Sequence, residues 1–549
     1  MEIRASLRGV VCALCGLATL IASAASVDTK AHAADCFATD NDGVYDQDGA
    51  ANGIITVTAA STPAVPPAAT AYDCTALDFV VESAGLLTFE SNVTTGEVVA
   101  LEVGDLQIDA GGAIRADAEG CPGVLGADPV SGDGSAPNDS NVCVKSATGS
   151  GSGGNDFGGA GGGAHGGAGA AGAIGAGGVP YDSATAPARF GGSGGNTGGG
   201  GGGPGGTGGG VVSITAQSVT HNGALTANAT AGGGSGGRVA GGGAGGSIFI
   251  TAGSFVGATG VFEARGGDAP GTAGGGGGGR IVVLYDTASF DFDASDFDVA
   301  GGVGGAQGDK GTVYLRDGGS SAVRIFHGFT FADVDHEESS WVSDASATNQ
   351  YCDPLLTVDA TLEIRAASIS IGGAIDCAPE VTSFSIVQEG VGSGLAILDG
   401  ASLSVNGALR LETPLSLSVG NGASIANTKR ATNLEFVIAD GDDQSWDAVT
   451  IDGAKEGRVI IDAAIALALT NSTTVTGSPL WPSLNSLEID ATSQIDASEK
   501  GCDSSSFSAG NGVGPDDGNV CVQSGAGAGG GGNDFGGAGG GAHGGAGAA

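Results

Sequence analysis

This chain is poor in positive charge, in aromatic side chains and in long apolar runs. Lys and Arg number 19 against 60 Asp and Glu, a formal charge of −41. A nucleic-acid binder needs a basic surface to displace counterions from phosphate, so nucleic acid is not an expected partner. Aromatics are 5% of the residues and Met occurs once, which leaves little for a core of large side chains. Beyond residue 22 no stretch free of charge and glycine reaches the ~20 residues that span a bilayer, so no transmembrane helix is expected in the mature chain. Amphipathic helical periodicity is missing, and no Gly-X-Y period runs through the glycine, which excludes collagen. What abounds is glycine, 110 of 549 residues, beside β-branched runs that argue against disorder.

The first residues read as an export signal. Arg4 and Arg8 form a basic start, residues 9–22 are apolar, and small-residue cleavage sites follow at Ala22-Ser23-Ala24 and Ala31-His32-Ala33. The mature protein is therefore expected to be secreted or held at the cell surface. Cys12 and Cys15 leave with the signal, and eight cysteines remain: Cys36, Cys74, Cys121, Cys143, Cys352, Cys377, Cys502 and Cys521. An even number in an exported chain favours disulfides, and no CxxC spacing among these eight suggests zinc. A nearest-neighbour scheme pairs Cys36 with Cys74, Cys121 with Cys143, Cys352 with Cys377 and Cys502 with Cys521, one connectivity of many.

Repeats carry most of the information. The nineteen residues GGNDFGGAGGGAHGGAGAA occur at 153–171 and again at 531–549, and NVCV occurs at 141–144 and 519–522, both offset by 378. The motif beginning Leu106-Gln-Ile-Asp-Ala returns as Leu487-Glu-Ile-Asp-Ala, so a module of about 380 residues starts again near Leu487. The sequence thus reads as part of a longer tandem array. Within the module, Val212-Ser-Ile214, Ile248-Phe-Ile250, Ile281-Val-Val283 and Val313-Tyr-Leu315 are spaced by 36, 33 and 32 residues. A second short strand follows the first three, at Leu225-Thr-Ala227, Phe262-Glu-Ala264 and Asp298-Val-Ala300. No such unit holds a core of its own, and stacking equivalent strands in the same sense would bury them together. The expected fold is all-β, a parallel β-helix or β-solenoid. Later strands are expected at 401–405, 408–411 and 415–419, with Asn406-Gly407 and Asn421-Gly422 as turns.

By composition the chain divides into a signal (1–33), a strand-rich region with an acidic loop (34–120), a glycine-rich segment (121–210), solenoid repeats (211–320), a glycine-poorer solenoid (321–500) and an incomplete second glycine-rich copy (501–549). Two conformations fit the glycine runs. One is flexible loops on the rim, the usual meaning of low-complexity glycine. The other is polyproline-II-like segments bundled side by side, where only glycine lets backbones approach.

Gly241–Ile250 (GGGAGGSIFI), Gly274–Tyr285 (GGGGGGRIVVLY) and Gly311–Leu315 (GTVYL) resemble the glycine-rich repeat arrays of large exported bacterial surface proteins. The resemblance covers residues 100–320 and 487–549. It implies a β-solenoid at the cell surface or in the matrix with adhesin-like contacts, and it carries no catalytic residue. The expected function is therefore structural or adhesive and not enzymatic, through multivalent contacts with carbohydrate or protein. A polysaccharide lyase or hydrolase on the same scaffold is the main alternative, with Asp442-Asp443 similar to the aspartate pair of polygalacturonases. Ice or crystal-surface binding is another. GGSGG at 191–195 fits GxSxG by chance in so glycine-rich a chain, and His165 is singled out only by repeating as His543. The candidate cofactor is Ca2+, at Asp40, Asp42, Asp46 and Asp48 in DNDGVYDQDG, where close carboxylates around turn glycine suit a hard cation. Asp291, Asp293, Asp296 and Asp298 read as a solvated strand face, with calcium as the lesser option.

Overall fold

The computed structural model describes residues 54–498, apart from 60–63, 69–70, 76, 124–131, 154–157, 199–201, 333–334, 354–355, 440 and 482, together with the strands Val513–Pro515 and Cys521–Gln523. The expected signal at 1–33 and the acidic loop at Asp40–Asp48 lie outside these residues. The described chain is almost entirely β, with long sheets that are mostly parallel. Among the described residues no helix is long and apolar enough to cross a membrane.

The repeat spacing sets the register. Val211–His221, Ser247–Val256, Arg280–Ala288 and Thr312–Asp317 lie side by side in parallel, with Val212 opposite Ile248, Ile248 opposite Ile281 and Ile281 opposite Val313. Below them Ala100–Ile108 pairs with Val211–His221 and rests on Asp78–Val81. A second parallel sheet runs alongside, through Leu86–Phe89, Ala113–Arg115, Ala224–Thr226, Val261–Glu263 and Phe297–Asp298. Its last strand begins at Phe297, one residue before the expected Asp298, because Phe297 is the apolar residue that stacks on Phe262.

One feature departs from uniform stacking. Thr312–Asp317 turns back through 318–321 and pairs antiparallel with Ala322–Phe326. Parallel pairing then resumes from Ala322–Phe326 to Asp335–Ser343 and Thr361–Ile371. Beyond this seam the strands Ala374–Cys377, Ser402–Val405, Ser424–Asn427, Thr450–Asp452 and Thr474–Thr476 continue in parallel. Ile375, Leu403, Ile425, Ile451 and Val475 thereby form one buried aliphatic column. The reversal puts the second core on the opposite face of the shared sheet. Ile281, Val283, Val313 and Leu315 belong to the first core, whereas Val282, Tyr314, Val323 and Ile325 belong to the second. That is why RIVVLY reads as a continuous apolar run and not as an alternation.

The described glycine runs are not rim loops. Residues 159–167, 191–198, 240–248 and 273–283 are buried, and backbone hydrogen bonds join them to one another. Their donors follow a period of three. The N–H groups of Gly241, Gly242 and Gly243 reach Gly195, Gly274 and Thr230, and those of Ala244, Gly245 and Gly246 reach Gly192, Gly277 and Ala227, the same three neighbouring segments in the same order. Gly274 to Gly279 repeat the pattern, toward the segments holding Ala160 and Gly163, Ala306 and Asp309, and Gly267 and Ala264. Three residues per turn with every bond made sideways is the geometry of bundled polyproline II. Glycine is required because the neighbours approach on all sides: a Cβ on Gly242 would lie 1.8 Å from the carbonyl oxygen of Gly267. Two of these runs lead directly into a sheet strand, Gly246 into Ser247 and Gly279 into Arg280.

Candidate functional site: the polar node between bundle and sheet

A cluster of buried polar side chains lies where the glycine bundle enters the sheet. Ser247, Arg280 and Thr312 are the first residues of three adjacent strands and stand in register. All three are fully buried, as is His165 from the glycine segment beside them. Nδ1 of His165 lies 3.0 Å from the Gly245 carbonyl and 3.2 Å from that of Gly246, and Nε2 lies 3.3 Å from Oδ2 of Asp182. Both ring nitrogens therefore lie within hydrogen-bonding distance of oxygen atoms. Oδ2 of Asp182 also accepts the N–H groups of Ala188 and Arg189, each at 3.0 Å. Burial pushes the Asp182 carboxyl up, but the hydrogen bond and charge of His165, with Arg280 and backbone N–H, outweigh it and hold the group down to about 2.

Arg280 completes the node. Its Nε donates to the Tyr181 carbonyl at 3.0 Å, and its guanidinium nitrogens donate to Thr312 Oγ1 at 3.1 Å and Thr330 Oγ1 at 3.3 Å. Tyr181 donates its hydroxyl to the Phe190 carbonyl, and Tyr351 donates to Gly166. Desolvation raises both phenols. The node thus pins the bundle to both sides of the seam. The sequence motif GGGGGGRIVVLY contains Arg280 but assigns it no role. The usable signal was a lone guanidinium opening an otherwise apolar strand.

Ser247, His165 and Asp182 do not form a nucleophilic triad. The Ser247 hydroxyl, 3.5 Å away, and Asp182 both address Nε2, and the hydroxyl donates to the Arg189 carbonyl at 2.7 Å. A triad places base and orienting carboxylate on opposite nitrogens. Ser193, from the GGSGG match, exchanges hydrogen bonds with the Ser135 backbone inside the bundle.

The remaining sequence candidates fall elsewhere. Asp442 Oδ2 accepts the Leu417 N–H and Asp443 Oδ1 accepts that of Ala466, each at 2.8 Å, so both carboxylates cap backbone of neighbouring layers. Asp291 to Asp298 do not form one strand face. Asp293 caps a single 3-10 turn, Ala294–Asp296, and Asp298 pairs with Arg265 at 3.3 Å. Among the described residues no group of three or more His, Cys, Asp or Glu is placed to hold a metal. Disulfides join Cys121 to Cys143 and Cys352 to Cys377, with Cα atoms 5.5 and 4.8 Å apart. Cys74 is also disulfide-bonded, Cys36 and Cys502 lie outside the described residues, and only the backbone of Cys521 is described.

On the outer face of the second stack, charges form short ladders. Arg365 bridges Glu363 and Glu389, and Arg410 bridges Glu412 and Glu435. These pairs are partly exposed, so they do little for stability and leave a patterned surface.

Comparison of the chain with protein families, with curated proteins and with solved structures finds no match.

Proposed function

We propose that this protein is an exported, repetitive β-solenoid that serves a structural or adhesive role at a cell surface or in a matrix. The reading that supports this best is the register. Each layer sets its outward side chains directly over those of the next, about 4.8 Å away, so one weak contact is repeated many times along the stack. Ser385, Arg410 and Glu435 on adjacent strands show this in-register placement. The buried polar groups of the node are spent on one another and on backbone, which favours scaffold over catalysis. The ligand class is carbohydrate or protein, and Ca2+ at Asp40, Asp42, Asp46 and Asp48 belongs to the same proposal.

The test is binding of the immobilised chain to acidic and neutral polysaccharides and matrix proteins at several ligand densities. The expected result is retention that climbs steeply with density and no new reducing ends. Release of reducing ends would establish the lyase or hydrolase alternative. An unchanged melting temperature in millimolar calcium would remove the metal.

A further inference from the structure

Among the described residues, the stack that holds Ala466–Thr470 ends at Ser486–Ile489. Ser486–Ile489 pairs with Ala466–Thr470, and among the described residues it has no second strand partner. Leu487 and Ile489 stand in register with Leu467 and Leu469. Those lower residues are 1% and 0% exposed, whereas Leu487 and Ile489 are each 42% exposed. The apolar column is thus continued by side chains that water still reaches.

The sequence says what belongs over them. LEIDATSQIDA at 487–497 repeats LQIDAGGAIRA at 106–116, with Leu487, Ile489 and Ile495 at the places of Leu106, Ile108 and Ile114. Both copies rest on equivalent lower layers: Phe79, Val81 and Leu87 lie under the first, and Leu467, Leu469 and Val475 under the second. In the first copy, Val219, His221 and Leu225 lie over Leu106, Ile108 and Ile114, which are at most 1% exposed. The adjoining edge strand, Ser478–Leu480, carries Pro479, which offers no N–H to a newcomer.

We propose that Ser486–Ile489 and the neighbouring Ile495 form an extension edge whose occupant is the 211–226 segment of a further copy of this module. The occupant is a strand followed by a short strand, VVSITAQSVTH and then ALT, set in the register that Val219 and Leu225 adopt in the first copy. The proposal rests on the layered sheets and the internal repeat, not on the adhesive reading.

The experiment appends residues 172–332 after Ala549, which corresponds to Ala171, and follows amide hydrogen exchange in the whole chain with and without the addition. Exchange over 486–489 is expected to slow by about tenfold or more as edge amides enter a ladder. Val219→Asp with Leu225→Asp, both in the added copy, is expected to abolish the protection. Unchanged exchange at 486–489 with a folded addition would overturn the proposal, as would an addition that gains no protection itself. Concentration-dependent protection in the original chain would overturn it in favour of association between whole chains.

Discussion

Tyr314 and Leu315 are consecutive residues that belong to different cores, Tyr314 packing with Trp341 and Phe329 and Leu315 with Ile281 and Val283. The strand that carries them is a wall shared by two stacks running in opposite senses. Neither stack could expose that wall without baring a full apolar face. The antiparallel seam therefore couples the two stacks more firmly than a linker would. The glycine bundle adds a third body with almost no side chains, tied to the sheets through Arg280, which donates to Tyr181 and to Thr312 of the wall, and through Tyr351, which donates to Gly166.

The bundle is the least tolerant part of the molecule. A methyl group at Gly242 would meet the Gly267 carbonyl at 1.8 Å, and that oxygen is fixed backbone. Gly242→Ala is expected to cost about 3 kcal/mol or more, the upper range of overpacking. Gly236, with φ +64 and nothing within 4 Å of its Cβ position, is the control. Gly236→Asn is expected to leave stability nearly unchanged, since Asn accepts the left-handed conformation. Urea midpoints of the two variants decide it, and equal midpoints would refute the close-packed bundle.

His221 gives the first core a dependence on pH. Its ring lies among Phe255, Phe262 and Phe290, with Nε2 3.2 Å from the Val261 carbonyl and a buried Nδ1 that has no hydrogen-bond partner. Desolvation lowers its pKa from 6.5 to about 4, since a proton on Nδ1 would have no acceptor. The unfolded chain therefore takes up the proton first. Stability is full above pH 6.5 and falls as pH drops toward about 4, by up to about 3 kcal/mol. His221→Phe is expected to flatten that limb of the stability–pH curve. A limb of the same slope in the variant would assign the effect to other groups.

How much of this was legible depended on side chains. The 212, 248, 281 and 313 register followed from spacing alone, because Val and Ile mark each strand. The antiparallel seam was not legible, since a period of two is the same in either strand direction and Gly318-Gly319 marks only a turn. The threefold order of the bundle left no mark either. Glycine satisfies all three faces of a polyproline-II segment equally, so no side-chain period reports it. Asp442 and Asp443 looked like a catalytic pair because their spacing is visible and their backbone partners, Leu417 and Ala466, are remote in sequence. For the same reason nothing local joined His165 to Asp182.

Asp182 supplies a second pH limb, lower than that of His221. Its folded pKa of about 2 lies below the ordinary 3.8, so its contribution is complete above pH 3.8 and disappears as pH falls to about 2. The size is about 2 kcal/mol. Asp182→Asn is expected to remove this limb and to lower stability at neutral pH by about that amount, because the neutral amide loses the charge interaction with Arg280 and accepts the Ala188 and Arg189 N–H groups less strongly. Acid unfolding of the two proteins, read between pH 4 and 2, is the measurement. Identical acid limbs would mean that the Asp182 carboxylate contributes nothing.

The Cys352–Cys377 disulfide joins Asn349–Cys352 to Ala374–Cys377, two strands already paired through Gln350 with Ile375 and Tyr351 with Asp376. The bond therefore adds little to the order of the folded sheet. Its effect falls on the unfolded chain, where it closes a loop of 25 residues. For a loop of that size the expected stabilisation is about 3 kcal/mol. Cys352→Ser with Cys377→Ser should keep the β spectrum of the native protein and lower its urea midpoint accordingly. Loss of the β signal without denaturant would show instead that the bond, and not the ladder, sets the register at this layer.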